Sequence, residues 1–310
     1  MKVAIGIPTY NQADYIKEAI DSGVSQSYDG LSLLVADDQS SDHTREICKS
    51  IPAANLSYFR NPVRLGRLGN YRKLLYESAG DAEWYLNLDG DDYLVDDDFI
   101  KHAMNLIDAH GSEQISFFQG NHDIRRLKQI FTNCKVLSAE DILVDGKDYF
   151  KRFYRVRNFA HAATLYNRKK ALGLNFYSYN ALSSDFHSVM RLSLTGHVIL
   201  SGRKVAYWRL HANNDSQSIN ETSLTNELDS LVEIADFSKQ YLTKEDSDEW
   251  LLRMRRYYQE TFIYFQTKVN PGVKTLRYLL KYGHLSWFYA KCVVKNITNK
   301  KSPKPGVSSV

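Results

Sequence analysis

Cysteine is scarce in this chain, and long hydrophobic runs are absent. The 310 residues hold three cysteines, Cys48, Cys134 and Cys292, odd in number and far apart. That pattern argues against a disulfide framework and against a cysteine-held zinc site, and it suggests a reducing, cytoplasmic setting. No apolar stretch is long enough to cross a bilayer as a helix. The opening run Met1–Tyr10 meets Pro8 at once, so it reads as a strand and not as a signal peptide. The sequons at Asn55, Asn220 and Asn296 are accordingly read as incidental. Nucleotide-binding glycine signatures are missing: no G-x-G-x-x-G follows the first strand-like run, and no G-x-x-x-x-G-K-[ST] occurs. Neither a G-x-S-x-G elbow nor an H-E-x-x-H helix is present.

Acidic residues stop at Glu260, and nine basic residues follow it. The net charge of +4 therefore conceals a negative main body and a positive tail. A negative body excludes nucleic acid as its partner, and any anionic surface would be met by the tail. Hydrophobic residues make up 43% of the chain, enough to build a sizeable core in one α/β domain with a helical appendage.

The first half alternates strand and helix. "KVAIGIPTY", "LSLLVADD", "LSYFRN", "EWYLNLD" and "QISFFQG" read as strands. Between them lie helical patterns after Asp14 (a candidate cap), after Ser41 or Asp42, over Leu68–Ala79 and over Asp97–His110. Such alternation implies right-handed crossovers and a Rossmann-like, mostly parallel sheet flanked by helices. Ligands bind beyond the carboxyl ends of strands in such sheets. Those ends carry Pro8-Thr9-Tyr10-Asn11, Asp37-Asp38, Asn61 and Asp89-Gly90-Asp91-Asp92. Between 121 and 200 the pattern is weaker, with a strand at "FAHAATLYN", a helix capped by Ser183 or Ser184, and strand material from His197. Beyond Leu224 the chain reads as helical, and a Lys/Pro/Ser tail from Asn299 reads as disordered.

Asp89, Asp91 and Asp92 repel one another, and a divalent cation with oxygen ligands, Mn²⁺ or Mg²⁺, would offset that repulsion. An EF-hand fails on spacing, because the sixth position from Asp89 is Leu94 and the twelfth is Ile100. Asp96–Asp98 are read as capping the helix that follows. Arg64, Arg67 and Arg72 fit either donor-phosphate binding or solvation of a helix face, and the second is the favoured reading.

"IPTYN" at 7–11, "ADDQSSDHT" at 36–44, "GN" at 69–70, "LDGDD" at 88–92, "SSDF" at 183–186 and "YWRLHANNDSQS" at 207–218 resemble family 2 glycosyltransferases of the GT-A fold. The resemblance covers residues 1–218. It implies a catalytic domain there, with a nucleotide-sugar-binding half (1–120) and an acceptor and catalytic-base half (121–218), followed by a helical extension (219–298) and the tail (299–310). It further implies a UDP- or dTDP-linked sugar donor, with Pro8, Thr9, Asn11, Asp38 and Asp89 on the nucleotide side. Asp91, Asp92 and His211 would serve the metal, and Asp185 would be the base of an inverting displacement. The family's usual residue before that base is Glu, whereas here it is Ser184. No Q-x-x-R-W motif of the longer synthases occurs, which suggests a non-processive enzyme acting on a carbohydrate or lipid-linked acceptor. The rival readings are a sugar-nucleotide nucleotidyltransferase and a catalytically silent sugar-nucleotide-binding protein. The aromatic, basic stretch within 276–301 fits either an interfacial membrane helix or a helix packed on the domain or on a second subunit of a homo-oligomer.

Overall fold

Every residue of β1 (Val3–Thr9) is buried, which a strand achieves only inside a sheet covered on both faces. The side chains divide with period two: Val3, Ile5 and Ile7 join the apolar cluster on one face, and Ala4 joins the cluster on the other. Gly6 has no side chain because the Tyr85 hydroxyl would lie 2.1 Å from its Cβ. The computed structural model describes residues 1–211, 220–269, 277, 278, 280 and 281.

Along the chain the elements are β1, α1 (Ile16–Val24), β2 (Leu31–Asp37), α2 (Thr44–Ser50), β3 (Leu56–Arg60) and α3 (Gly66–Lys73). A π-helical turn (Leu74–Ser78) continues α3, and β4 (Trp84–Asn87), β5 (Tyr93–Leu94), α4 (Phe99–Ala109) and β6 (Ile115–Gln119) complete the first half. Next come α5 (Ile124–Ile130), β7 (Lys135–Val136), β8 (Asp141–Asp145), α6 (Gly146–Val156), β9 (Thr164–Asn167) and α7 (Arg168–Gly173). The last described elements are α8 (Ser184–Ser193), β10 (His197–Ser201), β11 (Ala206–Tyr207), α9 (Glu221–Ser238) and α10 (Lys244–Val269).

Nine strands form one sheet in the order β3-β2-β1-β4-β9-β6-β10-β8-β7. Strands β3, β2, β1 and β4 are mutually parallel, as are β6 and β10. Strand β9 runs antiparallel between β4 and β6, and β8 antiparallel to β10. The sheet is mixed and mostly parallel, as the alternation predicts. A separate antiparallel ribbon, β5 with β11, pairs Tyr93 with Tyr207.

Helices α1 and α4 cover one face. On the other face, α6, α8, α9 and α10 share a single core, in which Trp250 of α10 stacks on Phe150 of α6 with ring centroids 4.4 Å apart. The helices beyond residue 219 thus pack on the sheet's own core. Among the described residues no helix is long and apolar enough to cross a membrane. The stretch 276–301, apart from residues 277, 278, 280 and 281, and the tail 299–310 lie outside the described residues.

Several capping expectations change. Helix α1 begins after Tyr15 with no side-chain cap, so Asp14 does not cap it. Helix α4 likewise has no cap from its own acids, and the Ile100 N–H donates to Gln26 Oε1 at 3.1 Å instead. Asp96 pairs with Arg203 at 2.7 Å, while Asp97 and Asp98 accept from Ser25 and Ser27. These acids tie the α4 entry to neighbouring segments. Long-range partners outcompete local caps wherever they arrive already fixed by the core.

Candidate active site

Because β1, β2, β3 and β4 are parallel and adjacent, their carboxyl ends lie along one edge. At this edge Asn11 adopts a left-handed backbone, φ 51°, which Asn tolerates better than most residues. Its N–H donates to Ser40 Oγ at 2.9 Å, and its Oδ1 accepts from the Ser41 N–H at 2.8 Å. Asn11 thereby locks the loop after β1 to the loop after β2. The Thr9 carbonyl accepts from the Asp38 N–H at 2.9 Å, and the Pro8 carbonyl accepts from the Gly90 N–H at 3.2 Å. Thr9 Oγ1 and Gln12 Oε1 are buried with no hydrogen-bond partner, so this edge holds polar atoms free to meet a ligand. A Cβ at Gly90 would lie 3.2 Å from the Pro8 carbonyl oxygen and would push Gln12 Oε1 aside, so the turn sits close against β1.

Asp38 is almost fully buried and well occupied. Its Oδ1 accepts from Asn61 Nδ2 at 2.9 Å and the Leu65 N–H at 2.7 Å, and its Oδ2 accepts from the Gly66 N–H at 2.8 Å. Asn61 and Asn70 extend this network to the Ala36 carbonyl. A carboxylate has about four acceptor positions, so one on Oδ2 stays available.

Asp89 accepts from the Tyr71 hydroxyl at 2.7 Å and from Asn87 Nδ2 at 3.0 Å. Burial raises its pKa, and Asp91 adds to the rise, while His161, Tyr71 and Arg67 pull it back. Burial, then Asp89 and Asp91, push Asp92 up to about 8 against the Arg209 N–H, which donates to its Oδ1 at 2.9 Å. The β5–β11 ribbon explains this neighbourhood, because it carries the chain from Tyr207 back over the acidic turn. Arg209 Nε donates to the Asp91 carbonyl at 3.0 Å, and its guanidinium lies between the Tyr15 and Tyr93 rings. His211 Nε2 sits 2.7 Å from Asp91 Oδ2 and its ring stacks on Tyr15. The fold thus brings Asp91 and His211 together across 120 residues of sequence. Asp92 is engaged by Arg209. Among the described residues no group of three or more His, Cys, Asp or Glu is arranged to hold a metal.

Asp185 stands in the first turn of α8, partly exposed, with one carboxylate oxygen 3.8 Å from His161 Nδ1. His161 Nε2 in turn lies 2.8 Å from the Tyr177 hydroxyl, and its ring meets the Tyr71 ring edge-on. A continuous path of contacts, Asp185–His161–Tyr71–Asp89, therefore joins α8 to the acidic turn. Ser183 does not cap α8 through its side chain. Its hydroxyl donates to Glu227 of α9, and its N–H donates to Glu227 Oε1 at 3.1 Å. Burial raises the Glu227 pKa, opposed by the Ser183 hydrogen bonds and aided by Asp185.

Arg67 corrects the expectation of a solvated helix face. Its guanidinium donates to the Ala181 and Leu182 carbonyls at 3.0 and 2.9 Å, bracing the loop that leads into α8. Burial disfavours its charge, but Tyr71, Asp185 and Asp89 outweigh burial and raise its pKa. Arg72 also points inward, donating to the Phe176 carbonyl at 2.9 Å, whereas Arg64 lies over the exposed Tyr10 ring at 3.9 Å. Sequence reasoning missed Tyr71, His161, Tyr177 and Glu227. No local pattern marks them, because each acts through a partner far away in the chain.

The family model for glycosyl transferase family 2 matches residues 4–172. The chain belongs to that family, and its fold is GT-A. An uncharacterised protein of Mycobacterium tuberculosis is 25% identical over 208 residues, 66% of this chain and 57% of the relative. The chain thus spans little more than half the length of that relative. Staphylococcus aureus TarS, residues 1–349, superposes with a TM-score of 0.64 at 16% identity, covering 96% of this chain and 89% of that one. A TarS structure also exists in complex with UDP-GlcNAc. The mannosyltransferase PcManGT from Pyrobaculum calidifontis, in complex with GDP-Man and Mn²⁺, has a TM-score of 0.58 at 14% identity and covers 97% of this chain and 88% of that one.

Proposed function

We propose that this glycosyltransferase moves a sugar from a UDP- or dTDP-sugar to an acceptor hydroxyl, by direct displacement with inversion at the anomeric carbon. One observation carries the reading: a part-exposed carboxylate, Asp185, joined through His161 and Tyr71 to the acid-rich strand edge. A base on one side and acids for a nucleoside diphosphate on the other match the two demands of glycosyl transfer.

The buried, unpartnered Thr9 hydroxyl and the open position on Asp38 Oδ2 would meet the pyrimidine, since a carboxylate accepts well from a uracil or thymine N–H. Pro8 and Asn11 shape that loop, and Asp89 faces the ribose. Asp91 and His211 would hold Mn²⁺ or Mg²⁺, with the carboxylate as the oxygen ligand that these hard ions favour and the imidazole beside it as a second donor. When bound, the cation supplies positive charge against the departing diphosphate. Asp92, engaged by Arg209, holds the turn. Asp185 takes the proton from the acceptor hydroxyl as its oxygen attacks the anomeric carbon and the nucleoside diphosphate leaves. Residues 1–218 form the catalytic unit in this reading, and the helices beyond 219 brace it.

The test is a thermal-shift screen of nucleotide sugars with and without Mn²⁺, followed by transfer or hydrolysis assays. UDP- or dTDP-sugars should raise the melting temperature more with Mn²⁺. Asp91→Asn should abolish the Mn²⁺-dependent part. Asp185→Asn should keep donor binding and lose transfer by about 10²- to 10⁴-fold. A donor that binds but never turns over in the parent chain would leave a silent binding protein.

A further inference from the structure

Asp185 also lines a cleft of about 220 Å³ walled by Phe159, Phe186, Tyr257 and Tyr258, and Arg157 lines it too. Tyr257 and Tyr258 belong to α10, well beyond the residues that the family model matches. The volume is below the roughly 300–1,000 Å³ of pockets for drug-sized ligands, which suits a single sugar or polyol unit. Aromatic faces offer flat surfaces with negative quadrupoles to the C–H-rich face of such a unit.

Arg157 is unusual in this wall. It ends α6 in a left-handed conformation, φ 51°, and is exposed. Its Nε donates to the Tyr154 carbonyl at 2.6 Å, and its guanidinium lies over the Tyr257 ring at 4.8 Å. Among the described residues it makes no ion pair with a carboxylate. One hydrogen bond and one ring contact hold the guanidinium, and its two terminal nitrogens are left as a fork for an oxyanion.

We propose that this cleft is the acceptor subsite, and that it takes a sugar or polyol unit bearing a phosphate or carboxylate, which Arg157 grips while the aromatic walls hold the ring. The proposal rests on Asp185 as base, because the cleft places its occupant against that carboxylate. It also assigns acceptor choice to the end of α6, to α8 and to α10, and not to the sheet.

Calorimetric titration of the full chain saturated with UDP and Mn²⁺ tests it, with glucose, glucose 6-phosphate and glucuronate as probes. At least one anionic probe should bind about ten-fold more tightly than glucose, as expected for a hydrogen bond to a charged group. Which anion gains more separates phosphate from carboxylate recognition. Arg157→Asn should erase the preference, and Asn tolerates the left-handed backbone, so the fold should survive, as a melting curve will verify. Arg157→Lys should restore part of the preference, and Tyr257→Ala should weaken all three probes. Equal binding of the three probes, no binding by any of them, or an anion preference that survives Arg157→Asn would overturn the proposal. Absence of binding by both UDP and dTDP would instead remove the proposed donor, and the same titration without nucleotide would then decide the cleft.

Discussion

The two sides of this site are built in different ways. The proposed donor edge comes from neighbouring strand ends, with hydrogen bonds between loops on adjacent parallel strands, such as Asn11 to Ser40 and Ser41. The proposed acceptor side is assembled from segments far apart in the chain. Arg67 braces the carbonyls of Ala181 and Leu182, and Glu227 grips Ser183 from α9. Sheet topology alone thus delivers the proposed nucleotide edge, while the proposed base depends on helices that arrive later in the chain. The lesson is that, in the proposed reading, α9 and α10 would belong to the active site as much as the sheet does.

Apart from Asp185 itself, separating these two sides experimentally should give the largest effect at Glu227. Glu227→Ala removes both acceptors of Ser183 and loosens the entry to α8. It should lower turnover by up to about a hundred-fold, since small misplacements of a base cost that much. Donor affinity, measured by UDP titration, should stay unchanged. Glu227→Gln should recover much of the rate, and parallel losses in UDP affinity would erase the distinction between the two sides.

The converse variant acts on the donor edge. Asp38→Ala strands the Leu65 and Gly66 N–H groups and takes one of the two acceptors of Asn61 Nδ2. It should cost roughly 2–3 kcal/mol of stability in urea melts and weaken UDP binding.

The smallest effect is a pH response carried on both sides of the molecule. Burial pushes His122 down to about 4. Burial, with help from Arg191, pushes His187 of α8 down to about 3, so its 3.6 Å contact with Glu233 is no ion pair at neutral pH. Both histidines have depressed folded values, so the unfolded chain takes up protons that the folded chain refuses as pH falls below 6.5. Stability should therefore fall on acidification, by about 1 kcal/mol per histidine over the first pH unit below that point. Urea midpoints measured across this range will show whether both histidines contribute, and His187→Phe should remove one share.

Much of the fold was legible. The strand–helix alternation of the first half gave the parallel sheet and its ligand edge, because half-buried helices and fully buried strands leave distinct periodicities. The 121–200 region was read only in part. Helix α6 carried a usable signal in Tyr149, Phe150, Phe153 and Val156, whose spacing forms one buried face. The two-residue strands β5, β7 and β11 are too short to show any period. Of the site, the strand-end acids and Asp185 were visible as residue types in place. Their partners were not, since Tyr71, His161 and Glu227 look like ordinary members of their own segments.

The sequence by itself determined the class of the protein, because buried strands, strand-end polar residues and their order along the chain are local or nearly local properties. Only the tertiary structure decided which groups meet. The return of β11 over the acidic turn brings His211 to Asp91, and the packing of α9 and α10 on α8 brings Glu227 to Ser183 and Tyr258 to the cleft. Those contacts depend on how the helices bury their apolar faces in a shared core, and no short stretch of residues encodes that.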